Sequence, residues 1–421
     1  MAKNKIVIHT IVFSPDGVST AYLYNDIALR FQKEGYEVVV LSTTPHYNVL
    51  QSELNKQPLH PKLLGLYYIS DYQGIKIIHV SQKKFKNSLL RIIGFVYWHI
   101  LAFFLGLAEK NVKIILSPSP PLSIGVLNIF IARIKKAKVI YNVQEIYPDF
   151  LINQGKLKMN FLISLLKKME RLVYKFSDAV TTIDAVFYQT IVDRFDQPQK
   201  LKVIPNFVDI DIFRPLTNIS GGIDENIFPL KKTSLKLMYA GNIGHAQNWK
   251  PLLELAKRLR TQNVEFWVIG EGVMKEFLVE EIKNHGLQNI HLVPYQKRES
   301  MPNLIAYADL HFIFMSPEME GQGFPSKVYT IMACAKPLLV ISGKGTPVSN
   351  FLEPVGCAWL IHDKEINSQC SQIIHIVNKL LLDRSALSVL GLKGLELIEK
   401  SYTKEAITME YVKLANQLIQ N

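Results

Sequence analysis

Residues 320 to 337 read EGQGFPSKVYTIMACAKP, an order of residue types that favours anion binding. Apolar spacing predicts a short helix that begins at Ser326, a candidate N-cap, and ends before Pro337. The N–H groups and positive dipole end of such a helix attract anions, and Lys327 adds a full charge that can pair with a diphosphate. Thr330, one turn further on, offers a hydroxyl to the same ligand. The alternative is that the glycines and proline only shape a turn.

Glycines follow two further predicted strands, in LMYAGNIG and VIGEG. Glycines at successive strand ends let a phosphate or sugar pass close to the backbone, although tight turns use the same residues. Together with the 320–337 segment they predict one ligand-binding cleft. Its candidate residues are Asn242, Gly244, Gly270, Gly272, Tyr295, Gly321, Gly323, Phe324, Pro325, Ser326 and Thr330.

The first predicted strand ends in FSPDGVST. Gly17 allows a ligand to approach the backbone there, and Ser19 or Thr20 can cap the next helix. An ordinary strand-to-helix turn explains the stretch equally well. It is not the G-x-G-x-x-G fingerprint of dinucleotide binding, so a Rossmann dehydrogenase loses its main support.

The elements that position these residues follow an α/β pattern. Short β-branched runs alternate with helical stretches near 19–34, 88–109, 122–135 and 157–176, and the second half repeats the scheme. This alternation predicts two doubly wound, Rossmann-like domains with mostly parallel sheets, over 1–205 and 206–402, that face a central cleft. The last helix, about 403–421, can pack on either domain.

Composition excludes several classes of protein. The chain has 421 residues, 48% hydrophobic and 20% charged, which is typical of two globular domains. A formal charge of +12 indicates an acidic partner, but no zinc-finger, RNP or Lys/Arg-tract pattern supports nucleic acid. Three cysteines without metal or redox spacing favour a reducing cytosol. The N-terminal MAKNKIVIHTIVF is interpreted as a buried strand, not a signal peptide, so we expect a cytoplasmic protein.

Taken in order, the motifs AGNIG, VIGEG and EGQGFPSKVYTIMACAKP resemble family 4 glycosyltransferases of the GT-B fold. The resemblance is strongest to the branch that assembles bacterial O-antigen or capsular polysaccharide and includes fucosaminyl transferases. It covers nearly the whole chain, through the N-terminal stretch from IHTIVFSPDGVST to VLSTTPHY and through SPSPPLSIG, YNVQEIYPDF and VIPNFVDIDIFRP.

The resemblance implies a nucleotide sugar donor, UDP-linked, on the C-terminal domain and a glycan or lipid-linked acceptor on the N-terminal domain. It implies retention at the anomeric carbon and no metal or other cofactor, and the sequence has no D-x-D motif where a metal-dependent transferase needs one. In a front-face mechanism the charge on the departing diphosphate must be neutralised, which a lysine and helix N-termini do electrostatically.

This chain departs from the family pattern at two places. Family members carry two glutamates eight residues apart, and here the second position, which holds the ribose, is Thr330; eight residues earlier stands Gln322, with Glu320 two residues before it. We expect Glu320 to be the catalytic carboxylate. The family's Arg and Lys on the first C-terminal loop are replaced by Asn242 and Gln247, so Lys327 is expected to take over the diphosphate.

On the acceptor side, the family's His-Asp pair corresponds to Gln144-Glu145. Glu145 is a candidate catalytic residue that hydrogen-bonds the transferred sugar or polarises an acceptor hydroxyl; alternatively it caps the following turn. His46, in TTPHY, is a candidate on the same side, and the alternative is an ordinary loop histidine.

The segment SLLRIIGFVYWHILAFFLGLAEK is apolar from Ile92 to Ala108. It lies between two strands of one predicted parallel sheet, so it is not expected to cross a bilayer. It is either a buried helix or a helix at an anionic membrane interface, which suits a lipid-diphosphate acceptor and a peripheral location. The interface hypothesis depends on Phe95, Tyr97, Trp98, Phe103 and Phe104 being exposed, beside Lys83, Lys84, Lys86 and Arg91.

With this resemblance, the sequence is interpreted as that of a retaining, metal-independent glycosyltransferase that moves a hexosyl or N-acetylhexosaminyl group in surface polysaccharide biosynthesis. One rival is a degenerate, non-catalytic GT-B subunit of a polysaccharide assembly complex, which Thr330 and the missing basic pair favour. Another is a nucleotide-sugar 2-epimerase, which needs cleft carboxylates and histidines that Gln144 and Thr330 do not supply. A phosphorylase-like enzyme requires a cofactor lysine and a longer chain.

Overall fold

The computed structural model describes residues 4–81, 88–153, 155, 157–219, 221–230, 233–321 and 323–420. The chain divides into two units, the first formed by Met1–Asn206 with Glu405–Asn421 and the second by Phe207–Lys404. The last helix, for which the sequence left both domains open, thus belongs to the first unit.

A single sheet forms the centre of the first unit, with strand order β3-β4-β5-β2-β1-β6-β7-β8-β9. The β3–β4 and β4–β5 pairs are antiparallel and the other pairs are parallel. The central strands are β-branched and almost wholly buried, as a sheet covered on both faces requires. The strands are β1 (Lys5–His9), β2 (Glu37–Thr43), β3 (His60–Lys62), β4 (Tyr67–Tyr72), β5 (Ile75–Val80), β6 (Val112–Ser119), β7 (Lys138–Val143), β8 (Ala179–Thr182) and β9 (Leu201–Val203).

Helices cover both faces of this sheet. The described helices of the unit are α1 (Ser19–Lys33), α2 (Gln51–Lys56), α3 (Ser88–Ala108), α4 (Leu122–Lys135), α5 (Asp149–Asn153), α6 (Asn160–Phe176) and α7 (Ala185–Ile191), with the C-terminal helix Lys404–Gln420. Right-handed crossovers place α1 on one face and α3, α4 and α6 on the other, because β1→β2 and β5→β6→β7→β8 run in opposite directions across the sheet. Helix α4 packs between α3 and α6.

The second unit has an all-parallel sheet of order β12-β11-β10-β13-β14-β15. Its strands are β10 (Leu235–Ala240), β11 (Val264–Ile269), β12 (Ile290–Val293), β13 (Leu310–Phe314), β14 (Leu338–Ile341) and β15 (Ala358–Ile361). Its described helices are α8 (Lys250–Arg258), α9 (Lys275–His285), α10 (Met301–Tyr307), α11 (Lys327–Ala333), α12 (Pro347–Leu352), α13 (Ile366–Leu382) and α14 (Ser385–Ser401). The C-terminal helix is therefore α15.

The predicted fold class, α/β with two doubly wound units, is confirmed by these sheets. The sequence missed the antiparallel β3–β4 hairpin and the edge strands β9 and β15. The expected cap of α1 is wrong, because Val18 occupies the N-cap position and no side chain caps it, while Ser19 already lies in the helix. Over the described residues, none of the helices combines the length and apolar character needed to cross a membrane.

The expected exposure of the aromatic residues on α3 is partly wrong. Trp98 is only 1% exposed and its ring lies 5.4 Å from that of His9, because it points towards the sheet. Phe95 and Phe104 are exposed, and Tyr97 and Phe103 are half-buried. Lys83, Lys84, Lys86 and the side chain of Arg91 lie outside the described residues.

A buried asparagine ties α15 to the sheet of the first unit. Asn142, at the end of β7, accepts hydrogen bonds from the hydroxyl of Tyr24 (2.6 Å) and the amide of Gln144 (2.7 Å). Its own amide donates to Thr181 Oγ1 (2.9 Å) and to the hydroxyl of Tyr411 (3.0 Å) on α15. Asn142 is fully buried, and these four hydrogen bonds satisfy every hydrogen-bonding position of its side chain inside the protein.

We expect Asn142→Leu to lower the free energy of unfolding of the first unit by about 3 kcal/mol or more, because it leaves buried hydroxyls without partners. Chemical denaturation measures the loss, and hydrogen exchange across α15 locates it. Tyr411→Phe is the matched control, since it removes the hydrogen bonds of one hydroxyl, to Asn142 and Thr181, and should cost about 1–2 kcal/mol. Equal costs for the two variants would contradict the network.

Candidate functional site

The loops after β10 and β11 lie against each other, because these strands are neighbours in the parallel sheet. The N–H of Gly241 donates to Ile269 O (2.9 Å), and the N–H of Ile243 donates to Glu271 O (2.8 Å). The glycine-bearing strand ends that the sequence singled out are therefore held together by backbone hydrogen bonds.

Two of these glycines are required by the protein itself. A Cβ atom on Gly270 would collide with the carbonyl oxygen of Gly241, and one on Gly272 would collide with that of Ile243. Both glycines also have φ values near +150°, at 144° and 156°, where L side chains are strained. Loop packing thus explains these two residues without a ligand. Gly244 is less constrained, since the atoms nearest to its added Cβ belong to the side chain of Asn242 and not to the backbone.

The glycines ahead of α11 differ from those in the loops. A Cβ atom added to Gly321 or Gly323 meets nothing within 4 Å, and neither residue has a positive φ. The described part of the chain therefore gives no steric reason for glycine at either position. Gln322, between them, lies outside the described residues.

Helix α11 begins through tight turns and not through a side-chain cap. Ser326 occupies the N-cap position, but its backbone is already helical (φ −53°, ψ −24°) and its side chain makes no capping hydrogen bond. The N–H groups of Val328 and Tyr329 donate to the carbonyls of Pro325 (2.9 Å) and Ser326 (3.2 Å). The expected serine cap is wrong, and these two amides are already occupied.

Side chains beside this turn are also partly committed. The hydroxyl of Thr330 donates to the carbonyl of Lys327 (2.9 Å), which leaves its lone pairs as acceptors. Phe324 packs against Tyr329 and Phe351, with ring centroids 5.0 and 5.1 Å apart. This aromatic contact anchors the 323–326 segment to the core of the second unit.

Lys327 is the residue with the most unusual surroundings. Its Nζ lies 3.5 Å from the ring centroid of Tyr239, whose hydroxyl donates to Asn242 O (2.7 Å) and so fixes the ring. A Cβ on Gly241 would lie 2.5 Å from this amine. No carboxylate within ion-pair distance is found for Lys327 among the described residues, and desolvation lowers its pKa to about 7. Among the described residues, the ammonium of Lys327 therefore has no counter-charge.

The carboxylate of Glu320 holds the loop that follows β14. It accepts hydrogen bonds from the N–H of Gly343 (2.6 Å) and from Ser342 Oγ (3.3 Å). Ser342 Oγ lies 2.8 Å from Thr346 Oγ1, which caps α12 by accepting from the N–H of Ser349. The predicted catalytic carboxylate thus has structural partners. Sequence reasoning missed this loop, although ISGKGT after β14 has the same glycine-rich character as the other strand ends.

The positions where the resemblance expects a basic pair have other partners. Gln247 is buried, and its side-chain carbonyl accepts from the N–H of Phe314 (3.0 Å) on β13. Asn242 is exposed. Tyr295, after β12, is partly exposed. Of these residues, Asn242 and Tyr295 present side chains to solvent near the strand ends.

In the first unit, Gln144 has its amide fully engaged. It donates to Asn142 Oδ1 (2.7 Å) and Asn206 Oδ1 (3.1 Å), and it accepts from Asn206 Nδ2 (3.0 Å). Its neighbour Glu145 is half-buried. Burial, with a contribution from the charge of Glu145, raises the pKa of Tyr147 to about 12.

Asp16, which the sequence did not single out, positions two of the predicted loops. Its Oδ1 accepts from the N–H groups of His46 (2.8 Å) and Tyr47 (2.7 Å). The N–H of Gly17 donates to Tyr47 O (2.8 Å), so the loops after β1 and β2 are joined. The sequence signal for Asp16 was its position directly before Gly17, at the end of a predicted strand. Elsewhere, no group of three His, Cys, Asp or Glu among the described residues is placed to hold a metal ion.

Comparison with known proteins finds a family match within the second unit. Residues 223–386, which include every candidate residue from Asn242 to Thr330, match the family described as glycosyl transferases group 1. The strand ends described above and the start of α11 lie within this match.

The longest of these relatives' matches and a solved structure extend the similarity to the first unit. The chain is 22% identical over 337 residues to WcaI of Escherichia coli K12, named as a colanic acid biosynthesis glycosyl transferase (78% of this chain, 81% of the relative). It is 24% identical over 199 residues to an Escherichia coli UDP-Gal:alpha-D-GlcNAc-diphosphoundecaprenol alpha-1,3-galactosyltransferase (46% and 49%). Anabaena HepE in complex with UDP-glucose superposes with a TM-score of 0.72 at 13% identity (98% and 99%). The fold is GT-B.

A pair of alanine substitutions tests the difference between glycines required by loop packing and glycines beside open space. We expect Gly270→Ala to destabilise the second unit by about 3 kcal/mol or more, because it combines a backbone collision with a strained φ. Gly323→Ala should leave the melting temperature unchanged, since its Cβ enters open space. Thermal unfolding of both variants checks this, and a large loss for Gly323→Ala would contradict the steric assignment.

Proposed function

We propose that this chain, whose residues 223–386 match the glycosyl transferases group 1 family, moves a sugar from a UDP-linked donor to a glycan or lipid-linked acceptor in surface polysaccharide biosynthesis. We further propose that the transferred group is a hexosyl or N-acetylhexosaminyl unit, that transfer retains the anomeric configuration, and that it needs neither metal nor cofactor. The names of the relatives, which concern colanic acid and a diphosphoundecaprenol-linked sugar, support this class of acceptor.

One observation carries the proposal: the ammonium of Lys327 stands over Tyr239 beside Gly241 without a counter-charge among the described residues. A desolvated cation gains most from an anion that enters its site, because the surroundings screen the charge weakly. A nucleoside diphosphate supplies that anion. The superposition on a UDP-glucose complex supports UDP as the nucleotide.

The same charge supports the chemistry of transfer. As the sugar leaves, negative charge develops on the diphosphate and positive charge on the sugar ring, and Lys327 stabilises the diphosphate without being consumed. We assign Glu320 to the sugar side, as the carboxylate beside the oxocarbenium-like centre. Thr330 accepts a hydrogen bond from the ribose through its free lone pairs. Glu145 and His46 belong to the acceptor side, and Asp16 positions His46.

A nucleotide panel tests the donor class. The purified protein is titrated by calorimetry with UDP, GDP, ADP, CMP and dTDP, and we expect heat and a raised melting temperature with UDP. Gly323→Ala should weaken UDP binding while its stability stays unchanged. No binding across the panel would favour the degenerate-subunit rival, and Thr330→Glu would then be the first variant to test for restored binding.

The pH dependence of UDP binding tests Lys327 directly. Its pKa of about 7 in the free protein must rise when an anion binds, so binding takes up a proton above that pH. Affinity should be highest below the free pKa and fall by up to about tenfold per pH unit between about pH 7.5 and 9, where the UDP phosphates are already ionised. Calorimetry in buffers of different ionisation enthalpy measures the uptake.

Lys327→Arg is the control for this measurement. Arginine stays charged across the whole range, so the slope should disappear while binding is retained. Lys327→Met should bind UDP weakly at every pH. An identical slope in the wild type and in Lys327→Arg would assign the titration to another group.

For Glu320, the amide variant separates chemistry from structure. Glu320→Gln keeps an oxygen that accepts from the N–H of Gly343, so the melting temperature and UDP affinity should change little. Loss of the charge should reduce kcat by roughly a hundredfold or more, measured as UDP release from the sugar donor. A variant with normal turnover would restrict Glu320 to holding the loop.

A further inference from the structure

Three helices on one face of the first sheet expose large apolar side chains. On α3 they include Ile92, Ile93, Val96, Ile100 and Phe104; on α4, Phe130 and Ile134; on α6, Phe161, Leu165, Leu172 and Phe176. Phe161 is 75% exposed and Phe104 is 61% exposed. These residues, called here the three-helix face, form neighbouring stripes because α4 packs against both α3 and α6.

Helix α6 has three distinct sides. Its buried residues, including Val173 and Tyr174, pack towards the protein. Phe161, Leu165, Leu172 and Phe176 recur at helical spacing on a second side that is exposed. An amphipathic helix of a protein core would have polar residues there, so packing within the unit does not explain this stripe.

The third side of α6 is basic. Lys167, Lys168, Arg171 and Lys175 are all exposed, and helical spacing places them along the edge of the apolar stripe. Helices α4 and α6 together carry six Lys or Arg and one carboxylate, Glu170. That carboxylate is buried and is bound by Arg194 (2.6 Å), so it does not offset the exposed positive charge.

Arg133 joins the stripes of α4 and α6. Its guanidinium carbon lies 4.2 Å from the ring centroid of Phe176, while Lys175 Nζ lies 5.9 Å from the same ring. Cations placed at the border of an apolar surface can keep their charged ends at headgroup level while the apolar side chains enter the acyl boundary.

We propose that the three-helix face docks on an anionic lipid surface, with its apolar stripes inserted and the basic side of α6 and Arg133 on the headgroups. A second copy of this chain fits the face less well, because a two-fold contact would set the basic side of α6 against itself. The proposal goes beyond the transfer reaction and does not depend on it. It also moves the expected contact from the aromatics of α3 alone to a surface shared by three helices.

Vesicle sedimentation tests the proposal. The full chain is mixed with vesicles of phosphatidylcholine alone or of phosphatidylcholine with phosphatidylglycerol, at low and high salt. We expect binding to the anionic vesicles that weakens as salt increases. Lys167→Gln/Lys168→Gln/Arg171→Gln should reduce the partition coefficient roughly a hundredfold, at about fivefold per charge. Phe161→Ser/Leu165→Ser should reduce it at least about tenfold at either salt concentration.

Matched controls come from exposed positions of the second unit. Lys283→Gln/Lys379→Gln/Lys400→Gln and Val279→Ser/Leu392→Ser remove the same kinds of side chain elsewhere and should bind like the wild type. Unchanged melting temperatures and UDP titrations for all four variants separate this test from that of the donor site.

Three outcomes would overturn the proposal. The first is a wild-type protein that stays in the supernatant with anionic vesicles at low salt. The second is an equal loss of binding in the control variants. The third is a dimer, seen by light scattering, that Phe161→Ser/Leu165→Ser dissociates without any vesicle binding, which would assign the face to a second copy.

Discussion

The position of the Lys327 amine constrains most of the candidate site in the second unit. Lys327 Nζ reaches the face of Tyr239 only because Gly241 has no side chain in the way. Gly241 in turn lies where it does because Gly270 lets its carbonyl approach, and the hydroxyl of Tyr239 holds the same loop through Asn242. A half-buried ammonium for which the described residues supply no carboxylate within ion-pair distance is costly, and desolvation accordingly lowers its pKa. Under the proposed function the donor diphosphate offsets that cost.

The fold could be predicted from the sequence because the spacing of apolar residues in each strand and helix matches the way that element is buried. KIVIH and LKLMYAG are continuous apolar runs, as buried parallel strands are, and their helices begin and end close to where spacing predicts. The β3–β4 hairpin was missed because it is an exposed edge, where HPK and YYISDY lack a clear alternation. The nearly continuous apolar run of α3 also hides which side faces the sheet, so the prediction that Trp98 is exposed is wrong.

Within the site, residue types were more predictable than their partners. Lys327, Glu320 and the strand-end glycines were selected because local sequence marks them, but Tyr239 resembles any other buried strand residue until the helix that brings Lys327 over it is known. The partners of Glu320 come from the loop after β14, more than twenty residues later in the chain. Ser326 has the residue type of a cap, but capping needs an extended backbone and Ser326 is already helical.

The handedness of chain crossovers explains why the two faces of the first sheet differ. On one face, α15 packs at the end of α1: Arg30 of α1 donates to Thr408, and Tyr36, in the turn after α1, donates to Asn416. Helices α3, α4 and α6 lie on the opposite face, because the crossovers that contain them run in the other direction across the sheet. Among the described residues, the outer sides of these three helices are apolar and exposed. The same sheet can therefore hold polar loops at its strand ends and present a lipid-compatible surface on its side. A lipid-linked acceptor would require both at once, since its sugar must reach the loops while its chain stays in the membrane.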